Sequence, residues 1–173
     1  MNITSEELLK EARALEPQLQ QWRRTLHRHP EVGFDLPHTK ELVKAALTEM
    51  GYEPRDCGKA GVIALAGGKK PGKVFLIRGD MDALPIEEKS CESFASTNGC
   101  MHACGHDMHT AMMLGAAKLI KAHESELNGV AKLLFQSAEE IFAGAKAAIA
   151  GGVMENPHVD SALALHVFSQ KPL

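Results

Sequence analysis

Apolar and polar positions alternate along the chain with two different periods. In the segment 8–26 apolar residues recur every three or four positions, which predicts a long amphipathic helix with Ser5 at its N-cap. Pro17 lies inside this segment and is expected to kink the helix or divide it in two. A second helix is predicted over residues 39–50, and it ends at Gly51.

Further along the chain, short apolar runs that predict strands alternate with segments of helical period. The predicted strands cover residues 62–66, 74–78, 130–135 and 161–167. The predicted helices cover residues 105–122 and 143–150. This alternation favours an α/β fold, a three-layer sandwich with a largely parallel central sheet. In such a sheet we expect the working site beyond the carboxyl ends of the strands.

Composition and charge narrow the classes of protein that fit. The 173 residues, 45% of them hydrophobic, suffice for one domain with a hydrophobic core. The net charge of −3, without a basic run, gives no indication of nucleic acid or of an anionic membrane surface as a partner. No apolar run approaches the roughly 20 residues of a membrane-spanning helix, and no signal-peptide core follows Met1. We therefore expect a cytoplasmic protein.

Candidate metal ligands are concentrated in the segment 101–109, MHACGHDMH. It holds one thiol, three imidazoles and one carboxylate, and thiolate and imidazole are ligands that zinc and similar metals prefer. Gly105 would let the backbone turn so that Cys104 and His106 face one ion. Asp107 suits the support of an imidazole through its other ring nitrogen. We interpret the segment as a metal site.

Two alternatives for this segment stay open at the sequence level. One is a capped helix start with a few surface histidines. The other is a compressed structural zinc knuckle built from Cys100, His102, Cys104 and His106. Disulfides are not expected for the four cysteines, because the chain shows no secretory signal.

Carboxylates and one further imidazole follow the other predicted strands. Glu139 and Glu140 come after an apolar run, and adjacent side chains of extended backbone point to opposite sides. One could reach a metal while the other acts as general base on a metal-bound water. Asp80 and Asp82 share a face by the two-residue period, and His166 lies near the end of the last run. Each group taken alone also fits a solvated loop, a strand-end turn or a core histidine.

Five separated blocks of the chain resemble one known family. They are the segments 24–31, 78–85 and 101–109, the segment 136–140 with the following Gly144-Ala145, and His166. They resemble the metallo-peptidase and amidohydrolase family that includes hippurate hydrolases, bacterial N-acyl-amino-acid amidohydrolases and plant auxin-conjugate hydrolases. The similarity spans nearly all 173 residues. It implies that residues 1–173 are the amino-terminal portion of a zinc-exopeptidase-like catalytic domain.

The resemblance implies a set of metal ligands. Cys104 matches a ligand that bridges two divalent ions, and His106, Glu140 and His166 match further ligands. Thiolate and imidazole favour zinc, with manganese, cobalt or nickel as alternatives at one position.

The resemblance also implies roles for two acids, and the chain departs from the family pattern at two small residues, among other positions. Glu139 matches the general base and Asp82 the acid that supports the metal site, whereas the match of Asp80 is weaker. The family usually has alanine where this chain has Gly79, and proline where it has Ser137.

The implied function is hydrolysis of the amide bond of N-acyl or aryl-acyl L-amino acids, small-molecule substrates, through a metal-bound water. Members of the family are longer, with a lid or dimerisation domain and a further histidine ligand after the region matched here. We therefore expect the full-length parent to be a homo-oligomer and the 173-residue chain to be inactive alone. A metallo-dipeptidase and a metal-binding fragment without turnover are the alternatives, and the Cys-Gly-His block favours the amidohydrolase.

Overall fold

Helices and strands alternate through residues 3–168, the part of the chain that a computed structural model describes. The helices are α1 (Ser5–Ala14), α2 (Glu16–Arg28), α3 (Pro37–Glu49), α4 (His106–Ala122) and α5 (Gly144–Ala150), with one 3₁₀ turn at Glu124–Glu126. The strands are β1 (Arg55–Cys57), β2 (Gly61–Gly67), β3 (Val74–Asp80), β4 (Val130–Gln136) and β5 (Ser161–Ala164). None of the helices within residues 3–168 combines the length and the apolar character needed to cross a bilayer.

The first amphipathic segment forms two helices that meet at Leu15. Pro17 stands in the first turn of α2, where its missing N–H would have no helical partner in any case. The expected division is therefore confirmed. The N-cap of α1 is Thr4 rather than Ser5, because Thr4 and Glu7 form a reciprocal capping box.

The five strands form one mixed sheet in the order β1-β2-β4-β3-β5. β3 runs parallel to both β4 and β5, whereas β2 runs antiparallel to both β1 and β4. The predicted α/β class is confirmed, although two of these four pairings are antiparallel. β1 was not predicted, since three residues are too few to show a two-residue alternation.

Helices α3 and α4 cover one face of the sheet and create the larger core. Val43 and Leu47 of α3, Leu114 of α4 and Phe135 of β4 are fully buried there. Burial of each such side chain contributes about 1.5–3 kcal/mol relative to exposure. The apolar stripes seen in the sequence thus become the contact between helices and sheet.

The opposite face of the sheet holds a smaller core under α5, around Leu76, Leu134 and Ala148. Lys132 of β4 is fully buried on this face, and its ammonium group donates to the carbonyl oxygens of Val153, Glu155 and Pro157, each at 2.9 Å. Three backbone acceptors compensate the buried charge and tie the loop before β5 to the sheet. With helices on both faces, the architecture has three layers.

The parallel strands bring the candidate site residues to one edge of the sheet. β3 ends at Asp80, β4 ends at Gln136 just before the Glu139-Glu140 pair, and β5 ends at Ala164. The strand predicted over 161–167 is therefore three residues shorter, and His166 lies beyond its end. The parallel β3, β4 and β5 terminate at this common edge, as expected for an α/β site.

Candidate metal centre

A left-handed glycine brings Cys104 and His106 to the start of α4. Gly105 is the N-cap residue with φ +86°, and a Cβ atom there would lie 2.5 Å from Cγ2 of Val167. Glycine is thus required both by the backbone conformation and by the close approach of Val167. The expectation that Gly105 turns the chain here is met.

His106 is buried, and its ring is fixed by the loop that follows β3. Nδ1 donates to the backbone carbonyl oxygen of Asp82 at 2.8 Å. With the proton on Nδ1, the lone pair of Nε2 is available for a metal. Nε2 has no hydrogen-bond partner among residues 3–168.

Three carboxylates surround this ring nitrogen. His106 Nε2 lies 3.7 Å from an oxygen of Asp80, 3.9 Å from one of Glu139 and 3.8 Å from one of Glu140. These distances exceed hydrogen-bonding range, and within the described residues the buried Oε1 of Glu140 is likewise unpartnered. The spacing is that of several ligands arranged around a common centre.

The two glutamates reach the cluster from a tight turn, not from extended backbone. Ala138 adopts φ +55°, which is strained for a residue with a side chain, and so redirects the chain after β4. The Asp82 carboxylate accepts hydrogen bonds from the N–H groups of Glu139 at 2.9 Å and Glu140 at 3.1 Å. Both side chains consequently face His106, and the expectation that they point to opposite sides is wrong.

The two aspartates at the end of β3 have different electrostatic surroundings. Burial raises the pKa of Asp82, although its backbone hydrogen bonds act in the opposite direction. Burial also opposes ionisation of Asp80, but the hydrogen bond from His109 and the charges of His106 and Arg78 outweigh it and lower its pKa.

Cys104 and His166 complete the other side of the cluster. The Cys104 sulfur lies 3.4 Å from Nε2 of His166, whose Nδ1 donates to the carbonyl oxygen of Val167 at 2.6 Å. Burial, followed by the nearby Glu140 and Glu139 carboxylates, raises the pKa of the Cys104 thiol to about 11. A metal that binds this sulfur must therefore displace a proton.

The potential ligands form three overlapping sets that share His106. In each set the donor atoms lie within 4.8 Å of one another. The sets are Cys104, His106 and His166; His106, Glu139 and Glu140; and Asp80, His106 and His109. All the ligands predicted from the sequence are thus brought together, and the donor types fit divalent metal ions.

The zinc-knuckle alternative finds no support in this geometry. Within residues 3–168, neither Cys100 nor His102 belongs to a set of potential ligands. His102 is buried elsewhere, with its ring centroid 6.4 Å from that of His27.

Asp107 binds an imidazole, as expected, but that imidazole belongs to His27 and not to a potential metal ligand. Its Oδ2 accepts from Nδ1 of His27 and from Nε of Arg23, both at 2.7 Å. The second nitrogen of His27 lies 3.0 Å from Glu88. Asp107 therefore ties the start of α4 to α2, and this contact gives the sequence block around His27 a structural role.

The sequence that forms this site also matches a known protein family. Residues 76–172, more than half of the chain, match the peptidase family M20/M25/M40. The chain belongs to this family. The matched region contains every candidate ligand, both aspartates at the end of β3 and the Glu139-Glu140 pair.

Relatives of this M20-family chain include hydrolases of more than one kind. It is 42% identical to an N-acyl-L-amino acid amidohydrolase of Geobacillus stearothermophilus, over 96% of this chain and 45% of that protein. It is 40% identical to thermostable carboxypeptidase 1 of Saccharolobus solfataricus, over 96% of this chain and 43% of that one. The chain thus spans less than half the length of these relatives.

A solved structure of the M20 family has a similar fold. A Bacillus subtilis protein described as a dinuclear metal-binding peptidase superposes with a TM-score of 0.86 at 41% sequence identity. The match covers 93% of this chain and 45% of that protein.

One departure from the usual family pattern has a packing explanation. A Cβ atom on Gly79 would lie 2.5 Å from Cγ of Met113. The glycine therefore leaves room for the Met113 side chain where α4 packs on β3. Ser137, the other small-residue departure, is buried, and its carbonyl oxygen lies against Gly144.

Proposed function

We propose that this chain carries the metal site of a hydrolase that cleaves the amide bond of N-acyl L-amino acids. The proposal rests on one observation above all: buried His106 Nε2 and Glu140 Oε1 face each other without a hydrogen-bond partner among residues 3–168. Buried polar atoms left in this way are costly unless something compensates them. A divalent cation is the compensation that imidazole, thiolate and carboxylate donors together favour.

Four residues are proposed as ligands of two divalent ions. Cys104 would bridge the ions, and His106, Glu140 and His166 would bind them from the surrounding elements. Zinc is the favoured metal, because thiolate and imidazole are its usual ligands, while manganese, cobalt and nickel fit the carboxylate side. When bound, such ions supply a Lewis acid that activates water and polarises an amide carbonyl.

Glu139 is the proposed general base. Its side chain is 32% exposed, against 18% for Glu140, so that it is the more accessible of the pair to water and substrate. Its carboxylate would take a proton from the attacking water and deliver it to the departing nitrogen of the amide. Asp82 would position this base through the hydrogen bonds that it accepts from the N–H groups of Glu139 and Glu140.

The substrate class is proposed from the relatives. The amidohydrolase of Geobacillus stearothermophilus, 42% identical, supports small N-acyl amino acids. Because the chain spans less than half of such proteins, we assign the complete reaction to the full-length form. We propose that residues 1–173 are the amino-terminal portion of its catalytic domain.

Peptide hydrolysis at the same metals is the second candidate. It is favoured by the 40% identity to a thermostable carboxypeptidase. A metal-binding chain without turnover is the third. Incubating the metal-loaded full-length form with N-acetyl-methionine and with a dipeptide separates the three, since cleavage of the first, cleavage of the second and cleavage of neither are the respective expectations.

The decisive test of the site is the metal content of the purified chain, compared among the wild type, Cys104→Ala and Cys91→Ala. Cys91 is an exposed cysteine outside the ligand sets and is therefore the matched control. We expect the wild type and Cys91→Ala to retain zinc or manganese and Cys104→Ala to lose most of it. Equal metal content in all three proteins would count against the site.

A further inference from the structure

His109 lies beside the metal centre on α4, one helical turn after His106. It is buried, and its ring lies 5.2 Å from that of His106 and 4.6 Å from that of His166, measured between centroids. By donor type and position it could serve as one more ligand. Its hydrogen bonds indicate a different role.

Both ring nitrogens of His109 are occupied. Nδ1 donates to Oδ1 of Asp80 at 2.5 Å, and Nε2 accepts the backbone N–H of Val167 at 2.9 Å. The Asp80 carboxylate is itself held by Arg78 at 2.7 Å. One nitrogen thus carries the proton and the other has its lone pair engaged, which leaves neither free for a metal.

The peptide groups of Val167 connect His109 with His166. The N–H of Val167 is bound by His109, and its carbonyl oxygen accepts Nδ1–H of His166 at 2.6 Å. This second bond directs Nε2 of His166 at the Cys104 sulfur, 3.4 Å away. The orientation of one proposed ligand therefore depends on where the Val167 backbone lies.

Few other hydrogen bonds fix this part of the chain. β5 ends at Ala164, the residues 165–168 have no regular secondary structure, and Leu165, His166 and Phe168 are exposed. The side chain of Val167 packs over Gly105, but packing alone does not set the direction of its N–H. The hydrogen bond to His109 does.

We propose that His109 is a positioning residue that places His166 for metal binding through the backbone of Val167. The inference rests on the metal site proposed above and adds a residue outside its ligand set. Asp80, held by Arg78, keeps the proton on Nδ1 of His109 and so leaves Nε2 as the acceptor. The chain of contacts runs from the end of β3, through α4, to the segment after β5.

Two substitutions separate the two bonds of His109. A glutamine amide reaches about as far as Nε2 of histidine, so His109→Gln can still accept the Val167 N–H. An asparagine amide reaches only as far as Nδ1, so His109→Asn keeps the contact with Asp80 and loses the one with Val167. The probes are Co²⁺ titration, followed by its visible absorption, and hydrogen exchange of the Val167 amide in the metal-free protein.

We expect His109→Asn to bind Co²⁺ about 10–100-fold more weakly, the usual effect of losing a group that orients a ligand. His109→Gln should bind close to the wild type and keep the Val167 amide protected from exchange. The double variant His109→Asn/His166→Ala should bind no more weakly than His166→Ala alone, because His109 acts only through His166. Thermal unfolding of each variant identifies any general loss of folding.

Three outcomes would overturn the inference while leaving the metal site in place. They are unchanged Co²⁺ affinity in His109→Asn, equal weakening in the asparagine and glutamine variants, and additive losses in the double variant. If the wild type takes up no Co²⁺, yet the Val167 amide is protected in the wild type and His109→Gln but not in His109→Asn, the metal proposal fails and the positioning contact stands.

Discussion

Two clusters of imidazoles and carboxylates lie at the start of α4, one around buried His106 and one around buried His27, and they differ in how their charges are compensated. In the ligand cluster (Cys104, His106, Glu139, Glu140, His166) the carboxylate oxygens of the glutamates stand 3.8–3.9 Å from His106. In the His27 cluster (Arg23, His27, Glu88, Asp107) the corresponding nitrogen–oxygen distances are 2.7–3.0 Å.

Residue types alone therefore do not identify a binding site. In the His27 cluster, Oδ2 of Asp107 binds two cationic partners that compensate its charge, although Oδ1 has no hydrogen-bond partner among residues 3–168. The ligand cluster places two glutamates and a thiol around His106, an arrangement that an added cation would stabilise. His106 and Asp107 are adjacent in sequence, yet the helix directs them into different clusters.

The largest expected effect compares one carboxylate from each cluster in the metal-free protein. Asp107→Asn should lower the free energy of unfolding by about 3 kcal/mol, because it removes the carboxylate that pairs with buried His27 and partly buried Arg23 and leaves only Glu88 beside His27. Glu140→Gln should leave stability unchanged or raise it, since it removes a like charge beside Glu139. Urea denaturation measures both, and a larger loss in Glu140→Gln would break the distinction.

Added metal should stabilise the protein through the ligand cluster only. At a zinc concentration 100 times the dissociation constant, the wild type should gain about 2.7 kcal/mol in its free energy of unfolding. Glu88→Gln, a change in the His27 cluster, should keep this gain, and Glu140→Gln should lose most of it. Thermal unfolding with and without zinc measures this gain for each variant. A loss of the gain in Glu88→Gln would contradict the prediction.

Alanine substitutions at two glycines test whether the close approach of Val167 to Gly105 affects metal binding, apart from backbone strain. Gly105→Ala and Gly99→Ala should each cost about 1–2 kcal/mol, because both positions have positive φ. Only at Gly105 does the added methyl group meet Val167, whereas Gly99 has open space around it. Metal affinity should therefore fall in Gly105→Ala alone, as measured by Co²⁺ titration. An equal fall in both variants would point to strain as the cause.

The smallest expected effect concerns pH. The hydrogen bond to Asp107 raises the pKa of His27 above 6.5 despite burial, so the folded state binds this proton more tightly than the unfolded state. The resulting stabilisation is fully present below pH 6.5 and is lost as the pH rises through the raised pKa. As the pH rises from 6.5 through the raised pKa, the free energy of unfolding should fall less in His27→Gln than in the wild type. Equal pH profiles in urea denaturation would show that His27 is not charged in the folded protein.

Much of the fold and of the site follows from local patterns. The 3.6-residue and two-residue periods predicted α3, α4 and strands β2 to β4 within one or two residues of their observed ends. The ligand candidates stood out because thiol, imidazole and carboxylate groups are concentrated at predicted strand and helix ends. Such patterns are readable because burial of one face imposes them directly on neighbouring positions.

Other features depend on contacts between residues far apart in the chain. Only the tertiary structure shows that Asp107 binds His27 rather than a ligand, that both glutamates face His106, and that β5 stops before His166. For Asp107 and for the glutamates, a partner more than 20 positions away decides the geometry.

The sequence by itself determined the α/β class, the family and the candidate ligands, because periodicity and donor chemistry are local properties. The tertiary structure alone decided which donors are already compensated and which converge without a partner. It also showed that His109 holds Val167, 58 positions away. Hydrogen bonds over such separations depend on how the strands and helices pack, and no local pattern records that packing.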